Sequence, residues 1–315
     1  MILVTGASGF VGRPLVRRLV ERGSVRVTMR RPLPEKLPEG VDVVRGELAT
    51  DQEWSGALSG VDKVVHCAAR VHVMNDQAAD PLTEFRRVNV DGTMRLALQA
   101  AQAGVKRFVF LSSIKVNGEA TQPGYPFLAD QPPAPEDPYG ISKREAEEGL
   151  RTLAQETGME VVIIRPPLVY GPGVKANFLA MMRWLKRGIP LPLGAVTENR
   201  RSLVALDNLV DLIVTCLDHP AAANQTFLVS DAESLSTAAL LRRMGDAIGR
   251  PTRLIPVPVP MLQLGAGLLG KRGMAQRLCG SLEVDISKTR DLLGWAPSIS
   301  VDEGLRQTAE AFMQS

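Results

Sequence analysis

The segment VTGASGFVG places Gly6, Gly9 and Gly12 directly after a short β-branched run, at the opening of a stretch with helical spacing. That position constrains the fold more than the glycines themselves. A tight turn from strand into helix needs residues without a Cβ, lets backbone approach a ligand closely, and leaves unpaired amides at the helix N-terminus where an anion is favoured. The spacing is GxxGxxG rather than the commoner GxGxxG. Pro14 is compatible with a helix here only within its first turn, where amides have no intrahelical partner.

The same alternation continues downstream. Strands are predicted at Ile2 to Thr5, Val25 to Met29, Val41 to Arg45, Lys63 to Cys67, Arg107 to Ser112 and Val161 to Arg165, with segments of helical period between them. Such repetition predicts an α/β fold, a doubly wound parallel sheet of Rossmann type covered on both faces. After Arg165 the texture changes to proline- and glycine-rich segments such as RPPLVYGPG and GIPLPLG. A second, smaller α/β domain is expected there, interleaved with the first because LDNLVDLIVTCLDHP and QTFLVS look like a return to the sheet. The predicted division is 1–166 with 205–230 for the dinucleotide domain and 167–204 with 231–315 for the substrate domain.

Composition narrows the partners. A net charge of +3 without long like-charge runs gives no reason to expect nucleic acid. Cys67, Cys216 and Cys279 are scattered and odd in number, which predicts buried thiols rather than disulfides or a zinc site. The first strand begins at residue 2, so a targeting segment is not expected and a cytoplasmic location is. Leu254 to Gly270 is apolar, but it is interrupted by Pro256, Pro258 and Pro260 and is too short to span a bilayer. A buried loop and helix is expected there, with a surface-associated helix as the other reading.

Which dinucleotide binds is read at the end of the second strand, where an acidic residue usually accepts from the ribose of NAD. This chain has TMRRP instead. Arg30 and Arg31 suit a 2′-phosphate, so NADP(H) is favoured and NAD is the other possibility.

Chemistry enters with DPYGISKREAEEGL. Tyr139 and Lys143 stand four residues apart in a predicted helix, hence on one face about 6 Å apart. With three tyrosines and nine lysines, chance supplies roughly 0.09 such pairs. A phenol has an ordinary pKa near 10, and an adjacent ammonium would lower it toward neutrality. LSSIKVNG, at the carboxyl end of a strand, supplies Ser113 to position an oxygen, with Ser112 expected to point into the fold. His66, in VVHCAA, reads as a strand-end histidine and not as a catalytic one.

Taken in order, TGASGFVG, HCAA, VNVDGT, LSSIKVNG, YGISK and RPPLVYGPG resemble the extended short-chain dehydrogenase/reductase family, in its branch acting on nucleotide sugars; DISKTRDLLGWAP near the C-terminus matches as well. The resemblance implies Tyr139 as acid/base, Ser113 as partner of the sugar oxygen, and Lys143 as ribose anchor. It implies Phe10 and Val11 at the pyrophosphate, and Glu47, where relatives usually have Asp, with Leu48 by the adenine. Ala68, Ala69 and Arg70 would border the cofactor with Asn89 behind them. Asn177, Phe178 and Arg201 would meet the substrate diphosphate, with Arg200 an equal candidate if the register is shifted by one, and His72 the sugar ring.

The implied chemistry is hydride transfer at a sugar carbon, with C4 expected. A reductase taking hydride from NADPH to a UDP- or dTDP-linked 4-keto-6-deoxyhexose is put first, because Arg30 and Arg31 favour an exchangeable NADP. A 4-epimerase of UDP-hexoses or UDP-N-acetylhexosamines with tightly bound NAD is the alternative, and a non-catalytic NADP-binding regulator the third reading. The similarity points to bacterial surface polysaccharide pathways such as lipopolysaccharide synthesis. A dehydratase is disfavoured because Ile114 and Lys115, rather than an acidic pair, follow Ser113. By the same analogy, a homodimer through a four-helix bundle is expected.

Overall fold

The computed structural model describes residues 1–30, 37–48, 51–71, 80–270 and 272–314. Arg31 and His72, both proposed ligand contacts, lie outside the described residues.

The strands are β1 (Ile2–Thr5), β2 (Val25–Met29), β3 (Val41–Arg45), β4 (Lys63–His66), β5 (Arg107–Leu111), β6 (Glu160–Arg165), β7 (Leu168–Tyr170), β8 (Arg201–Ala205), β9 (Thr226–Leu228) and β10 (Ser234–Leu235). Among the described residues, seven form a parallel sheet in the order β3-β2-β1-β4-β5-β6-β9. The chain winds outward from β1 to β3, then crosses back to β4 and outward again. Neighbouring strands β1 and β4 are therefore the point where chain direction reverses, and ligands of such sheets bind at the carboxyl ends of those strands. A smaller sheet, β10-β8-β7, pairs β8 with β10 antiparallel and with β7 parallel.

The helices are α1 (Gly12–Val20), α2 (Ser55–Leu58), α3 (Pro81–Phe85), α4 (Gly92–Gln102), α5 (Pro138–Thr157), α6 (Ala176–Lys186), α7 (Leu206–Asp218), α8 (Thr237–Ile248), α9 (Val259–Leu268), α10 (Arg272–Cys279), α11 (Ser287–Leu293) and α12 (Val301–Met313). Pro14 falls in the first turn of α1, where its missing amide costs nothing. On one face of the large sheet, α1 and α7 bury Leu15, Leu19, Leu209 and Ile213 against Val4, Val27 and Val109. On the other, α4 and α5 bury Leu96, Ala100, Leu150 and Leu153 against Leu3, Phe108 and Ile163. Strands buried on both faces explain the continuous β-branched runs. A third core joins α6, α8 and α12 with β8 through Met182, Leu241 and Leu305.

Two expectations change. Residues 282–295, expected with the second domain, contribute Leu282, Ile286, Leu293 and Trp295 to the core of the large sheet. The stretch from Leu254 to Gly270, expected as a buried loop and helix, instead puts α9 on the surface with no fully buried residue. Its prolines keep the approach extended, and the helix meets the third core along one narrow face, through Val259 and Leu262. Among the described residues no helix is long and apolar enough to cross a membrane.

Candidate active site

The glycine turn sits at the reversal point of the sheet. Gly6 leaves β1 with φ +71°, and Gly9 donates its amide to the Gly6 carbonyl at 2.8 Å. A Cβ on Gly6 would lie 2.7 Å from the Ala68 nitrogen, and one on Gly12 would lie 2.2 Å from the Gly6 oxygen. No side chain fits at either position, so the backbone of β1's turn packs directly on the chain leaving β4. Phe10 and Val11 continue this turn into α1, and the Phe10 ring packs between the first and third cores.

After β4, Ala68 donates its amide to Thr5 Oγ1 at 3.3 Å, and the next residue, Ala69, leads to Arg70. The Arg70 amide and carbonyl both bond the carboxamide of Asn89, at 2.8 and 3.0 Å, and Asn89 Nδ2 also donates to Ser142 Oγ on α5 at 3.0 Å. Asn89 is buried inside a six-residue π-helical stretch, Arg86–Asp91, joining α3 to α4. It thus ties the cofactor-side loop to the helix that carries Tyr139. Leu48 packs in the second core, its carbonyl so close to α4 that only glycine fits at Gly92. Arg30 follows β2 at the surface, 3.8 Å from Glu47. The guanidinium proposed for a 2′-phosphate therefore already faces a carboxylate.

Tyr139 lies in the first turn of α5, where Pro138 follows the cap residue Asp137, whose carboxylate accepts from the Gly140 amide at 2.7 Å. The phenol ring meets Phe85 edge-on at 5.9 Å. One turn on, Lys143 is buried with its ammonium 3.9 Å from the centroid of Phe110. Burial pushes Lys143 down to about 7, offset in part by the Glu147 carboxylate. Burial, with the charge of Asp137 second, pushes Tyr139 up to about 12. The expected lowering of the phenol is thus reversed in this geometry: desolvation of both groups outweighs the attraction that helical spacing alone suggests.

Ser113 follows β5 with extended backbone, and its Oγ accepts from the Lys115 amide at 3.3 Å. Ser112 points inward, as expected, and donates to Glu147 Oε1 at 2.5 Å. Glu147 in turn pairs with the buried Arg165, whose Nη2 lies 2.6 Å from Oε2. His66 is fully buried between Thr5 and Thr93, 2.6 and 2.9 Å away, and desolvation pushes it down to about 3, so it is neutral and structural. Burial likewise pushes the Cys67 and Cys216 thiols up to about 12, and no three-ligand metal cluster occurs among the described residues.

A cleft of about 420 Å³ opens beside the tyrosine, lined by Phe85, Lys115, Glu119, Tyr139, Gln276 and Arg277. Lys115 Nζ lies 2.5 Å from Asp137 and 2.8 Å from Glu119, so the loop bearing Ser113 is clamped to the start of α5. Arg201 opens β8, donating to the Gly280 carbonyl at 3.2 Å; burial pushes its pKa down, then the nearby Arg277 charge, with Glu119 opposing. Asn177 is exposed near the start of α6. Phe178 differs from expectation, because the residue is buried and its ring is stacked on Tyr170 at 5.5 Å. Lys115, Glu119 and Arg277 escaped sequence reasoning. The Asp-Pro helix start signals Asp137, whereas nothing local marks Arg277, which reaches the cleft from a helix far along the chain.

The family model described as the NAD dependent epimerase/dehydratase family matches residues 2–230. A UDP-glucose 4-epimerase of Vibrio cholerae is 51% identical over 314 residues, covering 100% of this chain and 96% of the relative. Among solved structures, a short-chain dehydrogenase/reductase superfamily protein of Agrobacterium tumefaciens with bound NAD is 28% identical with a TM-score of 0.79, covering 100% of this chain and 97% of that one. The UDP-glucose 4-epimerase of Thermotoga maritima with UDP-glucose, 23% identical, shares the fold at a TM-score of 0.80 over 99% of this chain and 98% of that one.

Proposed function

Because the chain belongs to the NAD dependent epimerase/dehydratase family, we propose that it is a 4-epimerase of UDP-linked hexoses or N-acetylhexosamines that works with bound NAD. The observation that carries this reading is the 51% identity, over the full chain, to a UDP-glucose 4-epimerase. It outweighs the arginine argument that put an NADPH-dependent reductase first, since Arg30 is set against Glu47. The glycine turn and the chain after β4 form a cradle that a Cβ would fill, which fits a dinucleotide pyrophosphate at the N-terminus of α1. When bound there, NAD supplies reversible acceptance of hydride from the sugar carbon and, while oxidised, a positive charge.

In this reading Tyr139 takes the proton of the C4 hydroxyl and returns it to the same oxygen on the opposite face. A phenol held near 12 favours keeping that proton, so the acid step is the easier one and the base step depends on added positive charge beside it. Lys143, poised near neutrality and buried, anchors the ribose and supplies part of that charge. Ser113 donates to the C4 oxygen, and Asn89 holds the Arg70 loop against α5. Arg201 and Arg277 take the substrate diphosphate; two guanidiniums that disfavour each other's charge are relieved by an anion between them. Asn177 is proposed to bond the nucleotide at the start of α6.

The test is the nucleotide released on heat denaturation of the purified protein together with turnover of UDP-glucose. Stoichiometric NAD and conversion without added cofactor are expected. An empty site with NADPH-dependent reduction of a UDP-linked 4-keto-6-deoxyhexose would overturn this reading in favour of the reductase, the second reading, which rests on the absence of an acid where β2 gives way to Arg30. We also propose a homodimer through α4 and α5, checked by light scattering at micromolar concentration, where a monomer would refute it.

A further inference from the structure

Residues 166–197 and 247–282 contain nine basic and no acidic residues, although the whole chain carries only +3. The rest of the molecule is therefore net negative by six. The two segments are joined in space: Leu191 donates its amide to the Arg253 carbonyl at 2.9 Å, and Ile255 donates to the Leu191 carbonyl at 2.8 Å. From this junction α9 extends across the surface. Its inner face, Val259 and Leu262, packs on the third core. Its outer face is also apolar: Met261, Leu264, Leu268 and the following Leu269 are 62, 68, 82 and 73% exposed. Ile255 and Ile189, beside the junction, and Trp184 on α6 are exposed as well. Exposed apolar side chains on this scale, four of them on or directly after one helix, mark a docking surface.

We propose that α9 and the proline loop before it seat this protein on the surface of an anionic bilayer. Charge selects that occupant. An apolar helix face on a pair of joined segments that carry only basic charge, Arg183, Arg187, Arg250 and Arg253 being exposed members, matches the boundary between acyl chains and negative headgroups. A second copy docking through the same face would bring together two sets of segments that each carry nine basic and no acidic residues. The helix lies on the membrane and does not cross it, since it is ten residues long. The next helix, α10, supplies Gln276 and Arg277 to the cleft, so the docked surface and the site are one short connection apart.

Co-sedimentation of the full-length protein with vesicles tests this. Binding to phosphatidylglycerol/phosphatidylcholine vesicles is expected to exceed binding to phosphatidylcholine alone by about tenfold and to fall at high salt. The exposed double variant Leu264→Glu/Leu268→Glu should lose it while keeping the wild-type melting temperature and turnover of soluble UDP-sugar. Three outcomes would overturn the proposal: wild type remaining in the supernatant with anionic vesicles, the double variant sedimenting as wild type does, or a lipid-free self-association that the double variant abolishes.

Discussion

Tyr139 and Lys143 share one buried helical face, and burial drives their pKa values apart, the phenol up to about 12 and the ammonium down to about 7. Tyr139→Phe removes the proton carrier and keeps the ring; its kcat should fall by about 10²- to 10⁴-fold, with bound NAD unchanged, measured by coupled epimerisation and nucleotide release. The lysine makes a separate prediction in stability. Its folded-state pKa of about 7 lies below the unfolded value of about 10.4. Between these two the unfolded chain binds the proton more readily, so stability contributed by this site rises with pH; below about 7 the native state carries a buried charge and the full penalty. Lys143→Met should therefore melt above wild type at pH 6, with the gap closing as pH approaches 10, and an equal gap at every pH would contradict the burial argument. The identity of these residues was legible because four-residue spacing on a helix is local. The direction of the phenol's shift was not, because it comes first from desolvation, and the residues that bury the ring, Phe85 among them, are brought to it by the fold.

At the scale of elements, α5 is the beam on which the site is built. Its start is fixed by the Asp137 cap and the Lys115 clamp, and its middle by Glu147, which meets Arg165 on β6 and Ser112 at the end of β5. Glu147→Gln leaves Arg165 buried without its counter-charge and should cost about 3–5 kcal/mol in urea unfolding; Glu147→Gln/Arg165→Met should recover part of it. Lys115→Met frees the Ser113 loop from α5 without removing a reacting group. It is expected to lower kcat about tenfold and leave bound NAD and the melting temperature nearly unchanged; equal losses of stability and activity would show a merely structural role. The strands and the start of α5 could be read from β-branched runs and the Asp-Pro signal. The π-helical stretch holding Asn89 could not, because one extra residue per turn leaves the apolar periodicity of FRRVNVDGT almost unchanged.

For the whole molecule, the parallel sheet places β1 and β4 side by side and thereby puts the glycine turn, Ala68 and the Tyr139 helix around one crevice. Sequence alternation pointed to the doubly wound parallel sheet but not to the order of its strands. It missed the return of residues 282–295 to the first core, since a short apolar segment looks alike against either sheet. It also missed Arg277, whose approach to Arg201 is a product of folding; Arg277→Met should raise KM for the UDP-sugar about tenfold or more with a smaller change in kcat, as loss of a diphosphate contact requires. The most direct test of the account is proton NMR of UDP-glucose and UDP-N-acetylglucosamine incubated with the purified protein and no added cofactor. The account predicts signals of the C4 epimer of at least one of them, growing to a constant ratio and absent with Tyr139→Phe. Unchanged spectra from protein carrying stoichiometric NAD, or epimer formed equally fast by Tyr139→Phe, would contradict it.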